Sequence, residues 1–197
     1  AVESLFRRLG ATSVRTSQSE EERARLWAGR KSAFPAVGRI SPDYYCMDGT
    51  IPRGQLTHVL LEMQKMSEHY GLRVANVFHA GDGNLHPLIL FDANVPGELE
   101  LPEEFGGKIL ELCVEVGGCI TGEHGVGYEK LRQMPAQFND AEIAQFHKVK
   151  RAFDANELLN PGKGIPTLRS CQEYRSLDMN ITPNAAVQHT AEGHSHD

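Results

Sequence analysis

Arg73-Val74-Ala75-Asn76-Val77-Phe78-His79-Ala80-Gly81-Asp82-Gly83-Asn84-Leu85-His86-Pro87-Leu88-Ile89-Leu90-Phe91 is the stretch whose reading decides the fold. Arg73 to His79, with Val74, Val77 and Phe78, has strand composition, and so has Leu85 to Phe91. Between them Ala80-Gly81-Asp82-Gly83-Asn84 is turn chemistry, so the two arms are expected to pair as an antiparallel hairpin. His79 closes one arm and His86 opens the next. Facing residues on paired strands have Cβ atoms roughly 4.5–5.5 Å apart, which would let two imidazoles share one divalent ion. The bland reading is a hairpin that happens to carry two histidines.

Outward from the hairpin, helices alternate with short strands. Residues 1–9 read as the end of a helix stopped at Gly10, so the fold is expected to begin before Ala1. Ser19-Glu20-Glu21-Glu22 is a helix start, with a capping serine and acids in the first turn, and the helix runs through Leu26 and Trp27 towards Pro35. Asp43 to Met47 has strand composition and ends at the turn signal Asp48-Gly49. Pro52 opens a helix with Leu56, Val59, Leu60 and Met63 on one face. Lys108 to Val116 is a further helix, Gly117-Gly118 ends it, and Cys119-Ile120-Thr121 follows as a short strand. The last helix carries Ile143, Phe146, Val149 and Phe153 and stops near Asn160-Pro161-Gly162. This order predicts an α+β fold, an antiparallel sheet flanked by helices, with a C-terminal helical extension. Residues 1–137 are expected to form the main domain, 138–177 the helix and loop, and 178–197 a disordered tail.

A formal net charge of −6 argues against a nucleic-acid partner, which needs a dense basic surface. No apolar run is long enough to span a bilayer, and the opening residues do not read as a signal peptide. Cys46, Cys113, Cys119 and Cys171 form no CxxC pairs, and read as small buried hydrophobes in a reducing compartment.

The second chemical cluster is Gly122-Glu123-His124-Gly125-Val126-Gly127, a carboxylate and an imidazole side by side among glycines. In extended backbone, neighbours point opposite ways, so one can ligate a metal while the other faces a substrate. His, His and Glu with an open position form a ligand set of catalytic type. The bland reading is a glycine-rich loop. No GxGxxG fingerprint or P-loop is present. A third cluster, Asn160-Pro161-Gly162-Lys163, reads by spacing alone as a helix stop and turn. His189, His194 and His196 read as part of a solvated end, and Arg53 and Lys130 as surface or helix-end charges.

Phe78 to Pro87, Gly118 to Gly127 and Asn160 to Lys163, in that order, resemble the signatures of the FAD-linked oxidase C-terminal domain, of the vanillyl-alcohol oxidase type of flavoenzymes. Leu26 to Pro35 and Ser41 to Arg53 are most similar to the bacterial glycolate oxidase type, its FAD subunit, with D-lactate and D-2-hydroxyglutarate dehydrogenases more distant. The resemblance covers the chain to about residue 175.

The resemblance implies an FAD-dependent 2-hydroxy-acid dehydrogenase or oxidase, taking glycolate or D-lactate to the 2-oxo acid by hydride transfer to flavin. It implies His79, His86 and Glu123 as ligands of a divalent metal (zinc, manganese or iron) and His124 as catalytic base. Arg30 and Asn84 become substrate-binding residues, and Asn160 a flavin contact. Residues 1–137 would then be the substrate or cap domain and 138–177 a helix and flavin-facing loop, with the FAD wrapped by a domain outside this chain; that domain or further oxidase subunits are expected partners, in a homo- or hetero-oligomer. A cytoplasmic location, or one peripheral to a membrane through such subunits, goes with this. The hydroxyglutarate enzymes have a lysine where this chain reads Tyr45-Cys46-Met47, which favours a small monoacid. Two other classes share the ligand set: a metal-dependent hydrolase, and a non-catalytic interaction domain derived from such an oxidase.

Overall fold

A computed structural model describes residues 1–96 and 99–166; Cys171, the expected tail at 178–197 and its three histidines lie outside the described residues. The chain opens with α1 (Val2–Arg8) and α2 (Glu20–Lys31), neither of which buries a residue. Ser19 caps α2, its side chain accepting from the Glu22 amide, with three glutamates in the first turn at the positive end of the helix dipole. The helix expected to run on towards Pro35 breaks at Ser32 and restarts as α3 (Ala33–Ala36). Proline lacks the N–H that a helix interior needs, and only in the first turn of a new helix is that loss harmless.

The next elements are β1 (Asp43–Cys46), β2 (Gly49–Thr50), α4 (Leu56–Tyr70), β3 (Val74–His79) and β4 (Asn84–Phe91). They are followed by α5 (Glu100–Glu115), α6 (Met134–Gln137) and α7 (Asp140–Phe153). The sheet is antiparallel, so the α+β expectation holds. β4 is its centre. β3 lies along one edge, while β1 and β2 lie along the other in one register, Cys46 opposite Leu88 and Gly49 opposite Leu85.

Alternation then divides the sheet into two faces. Tyr45, Met47, Leu85, Ile89, Val74 and Phe78 pack with α4 and α5 in the main core, around Val59, Met63, Phe105 and Ile109. Leu88 and Leu90 point the other way, against Val37, Phe34, Cys46 and Val77. β4 is therefore buried on both faces, which is why its sequence is nearly continuous in apolar residues. Each such side chain removed from water contributes about 1.5–3 kcal/mol. The second face is apolar only at one end. At its other end it carries the polar residues of the candidate site.

α5 starts at Glu100, well before the expected Lys108. Pro102 and Gly106-Gly107 look like breakers in sequence, but the proline sits in the first turn and the glycines are there for packing. A Cβ on Gly106 would lie 2.6 Å from Met47 Sδ, and one on Gly107 2.6 Å from Gln133 Nε2. α7 is opened by a capping box between Asn139 and Glu142 and ends at Phe153, short of the expected Asn160. Ile143 is buried, whereas Val149 and Phe153 are 59% and 85% exposed, so only the first half of its apolar stripe reaches the core. No described helix is long and apolar enough to cross a membrane.

Candidate metal centre and active site

The hairpin forms as expected, with one correction to its register. His79 pairs with Asn84, and His86 pairs with Val77, so the two histidines are diagonal neighbours rather than facing residues. They remain on the same face, their rings 5.3 Å apart and nearly perpendicular. The turn is closed by the Asp82 amide donating to His79 O at 2.9 Å. Gly83 adopts φ +75°, and a Cβ there would meet Ile51 O at 2.1 Å, so both its conformation and its surroundings require glycine.

The second cluster is not extended. Of the expected strand at Cys119–Thr121, only the bridge between Cys119 and Thr50 forms. Beyond it the chain bends around the side chain of Asp48. That carboxylate accepts from Thr121 Oγ1 at 2.9 Å and from the amides of Gly122, Glu123 and His124 at 3.0, 3.1 and 2.8 Å. Lys130 Nζ lies 3.1 Å away, and the pair is 0% and 1% exposed. Burial raises the Asp48 pKa, but the amides of His124, Glu123 and Gly122 and the Thr121 hydroxyl outweigh it and hold the carboxyl well below its usual range. Because the backbone bends, Glu123 and His124 do not point to opposite sides. Both flank His86: Glu123 Oε1 is 3.0 Å from His86 Nε2, and the His124 ring stacks on the His86 ring with centroids 5.3 Å apart.

Three donor atoms thus converge, since His79 Nε2 lies 3.4 Å from the same Glu123 oxygen. Two ligands each about 2.1 Å from a tetrahedral ion lie roughly 3.4 Å apart, so His79, His86 and Glu123 are spaced to fit one divalent cation. Asp48, His86 and His124 form a second group of suitable spacing. It suits a cation less well, because the Asp48 oxygens are already occupied by N–H and O–H donors. Asn84, 7% exposed, donates from Nδ2 to Glu123 Oε1 at 2.7 Å and so orients that carboxylate. Its Oδ1 is buried without a hydrogen-bond partner among the described residues.

Arg30 reaches the same end of the sheet: its Nη2 is 3.5 Å from Phe78 O, one residue before His79. It also lines an open cleft of about 610 Å³ with Trp27, Arg15 and Phe6. Asn160, at φ +49°, lies on the loop after α7. That loop is tied to the glycine-rich segment by Gly164, whose amide donates to Gly127 O at 2.7 Å.

Residues 1–164 match the family described as FAD linked oxidases, C-terminal domain. The chain belongs to that family. It is 66% identical over 176 residues to the glycolate oxidase subunit GlcD of Escherichia coli K12, covering 89% of this chain and 35% of that protein. The Bacillus subtilis glycolate oxidase subunit GlcD is 36% identical over 162 residues, 82% of this chain and 34% of that one. The mitochondrial D-lactate dehydrogenase [cytochrome] of Arabidopsis thaliana is 28% identical over 152 residues, 76% and 27% of the two chains. The chain therefore spans about a third of the length of the curated relatives it matches.

Two residues of this oxidase domain escaped the sequence reading. Asp48-Gly49 read as a turn, and Lys130 as a surface charge; they form a buried ion pair under the Glu123-His124 loop. One signal was available: Asp48 interrupts a strand-like run, where a charge needs a specific partner. Arg53 is exposed, its Nη1 3.5 Å from Gly81 O in the hairpin turn. Cys46 and Cys113 behave as small apolar side chains. Burial, aided for Cys46 by the Asp48 charge, pushes its thiol up to about 11, and burial pushes Cys113 up to about 12.

Proposed function

We propose that this domain is the substrate- and metal-binding part of an FAD-dependent 2-hydroxy-acid dehydrogenase or oxidase that takes glycolate or D-lactate to the 2-oxo acid. The observation that carries the reading is the convergence of His79 Nε2, His86 Nε2 and Glu123 Oε1, with the His124 ring stacked beside them. These three residues would hold a divalent zinc, manganese or iron ion. Bound there, the ion would acidify the substrate hydroxyl, and FAD would accept the hydride. Arg30 binds the carboxylate through a charge-assisted contact that can be bidentate. His124 takes the hydroxyl proton. Asn84 holds Glu123 in its ligating orientation and would contact the substrate, and Asn160, on the loop after α7, would contact the flavin. The FAD-binding domain or partner subunits complete the enzyme, in the cytoplasm or at a membrane face through those subunits.

The test is His124→Ala in the intact protein. General-base help is worth about 10²–10⁴-fold, so turnover of glycolate or D-lactate should fall at least that far, with divalent-ion binding retained. Turnover equal to wild type would remove His124 from this role.

A further inference from the structure

Nothing in the ligand set itself explains why the loop after Cys119 presents Glu123 and His124 to His86. The loop is not part of the sheet beyond a single bridge at Thr50. Gln137 Oε1 accepts from the Ile120 amide at 2.9 Å and Asp48 O from the Gly122 amide at 3.2 Å, but at 122–124 a single side chain gathers the backbone from beneath. Asp48 lies opposite His86 in the register of the outer strand, and its carboxylate gathers three consecutive amides, Gly122, Glu123 and His124. The carboxylate is held in turn by Lys130, whose Nζ also donates to Asp48 O and lies 3.2 Å from Thr121 Oγ1. Gly122 lets the loop approach this closely, since a Cβ there would lie 2.6 Å from Asn84 Oδ1 and 2.9 Å from Asp48 Oδ1. We infer that Asp48, locked by Lys130, is a positioning residue that aims Glu123 at the metal centre and His124 at the substrate. It touches neither metal nor substrate and acts through the amides of the residues that do. The inference rests on the ligand assignment proposed above.

The experiment compares wild type, Asp48→Asn, Asp48→Asn/Lys130→Met, Thr121→Val and His79→Ala in the intact protein. The double variant removes both charges together, so it avoids leaving Lys130 buried and unpaired. Two readouts are taken: amide hydrogen exchange at 122–124 in the metal-free protein, and Mn²⁺ affinity from the paramagnetic resonance of the free ion. Outer-shell partners of metal ligands are commonly worth roughly 10–100-fold in affinity. The double variant is expected to keep its fold, exchange faster at 122–124, and bind Mn²⁺ weaker by that factor. Thr121→Val, which keeps both charges, should shift both readouts the same way to a smaller extent. A folded double variant with wild-type affinity and wild-type exchange overturns the inference, and if it does not fold, unchanged readouts in Thr121→Val do so. Mn²⁺ affinity unaffected by His79→Ala overturns the ligand assignment instead, which separates the two failures.

Discussion

The Glu123 carboxylate, though its side chain is 53% exposed, takes its place from nitrogen contacts on its inner side. Its Oε1 is within 3.4 Å of His79, His86 and Asn84 nitrogens, and its amide is bound to Asp48. On that inner side, at Gly122, there is little room for extra volume. Gly122→Ala adds one methyl group between Asn84 Oδ1 and Asp48 Oδ1, and Asn84 is unable to retreat because its amide nitrogen is engaged by Glu123. Overpacking of this kind costs about 1–3 kcal/mol, so the variant should unfold at lower denaturant concentration and bind Mn²⁺ more weakly. Wild-type values for both would mean the loop relaxes freely. The cysteines give a second prediction at this scale. Neutral thiols are poor nucleophiles, so at about pH 8 Cys113 in the folded protein should remain free of iodoacetamide adducts, while the urea-unfolded chain reacts there. Mass spectrometry of the digest reads the outcome, and a native-state Cys113 adduct would contradict the burial.

At the scale of elements, legibility followed local signals. The hairpin, the N-cap of α2 and the apolar face of α4 were readable, because each is fixed by residues close in sequence. Register was not: His79 opposite Asn84 depends on how Asp82 and Gly83 close the turn, a choice that composition leaves open. Nor was the front half of α5, where Gly106 and Gly107 serve neighbours distant in sequence. Two of the motifs supplied the proposed ligands His79, His86 and Glu123, but Asp48 and Lys130 were invisible as a pair because 82 positions separate them. The loop after α7 offers a test at this scale. Asp154 accepts from the Leu158 and Leu159 amides at 2.8 and 2.9 Å and pairs with Lys150, which itself donates to Leu159 O. The Lys150 contact, then the Leu159 amide, lower its pKa. A carboxyl whose pKa is lower folded than unfolded adds stability above its unfolded value and loses it as pH falls through the folded one. Asp154→Asn should therefore be less stable than wild type at neutral pH, and the gap in urea midpoint should close on acidification below about pH 4. A gap independent of pH would place the effect elsewhere than in this charge.

Across the whole molecule, the candidate centre joins parts of the chain that lie far apart in sequence. His79 and His86 belong to the hairpin, whereas Glu123 belongs to a loop that reaches the sheet through the Thr50–Cys119 bridge and Asp48. An ion held by all three would cross-link them, and binding to the folded state alone stabilises it by mass action. At a free-ion concentration about 100 times Kd the gain is about 2.7 kcal/mol, which for a protein of roughly 150–250 residues raises Tm by roughly 5–10 °C. Chelation should therefore lower the melting transition of this domain in the intact protein by about that amount, and Mn²⁺ or Zn²⁺ added back should restore it. Glu123→Gln weakens a ligand without adding volume and should abolish most of the shift, while His124→Ala, outside the ligand set, should leave it in place. Differential scanning calorimetry with and without chelator separates these cases. A melting temperature indifferent to chelation would argue that the convergence of His79, His86 and Glu123 is a hydrogen-bonded cluster and not a cation site.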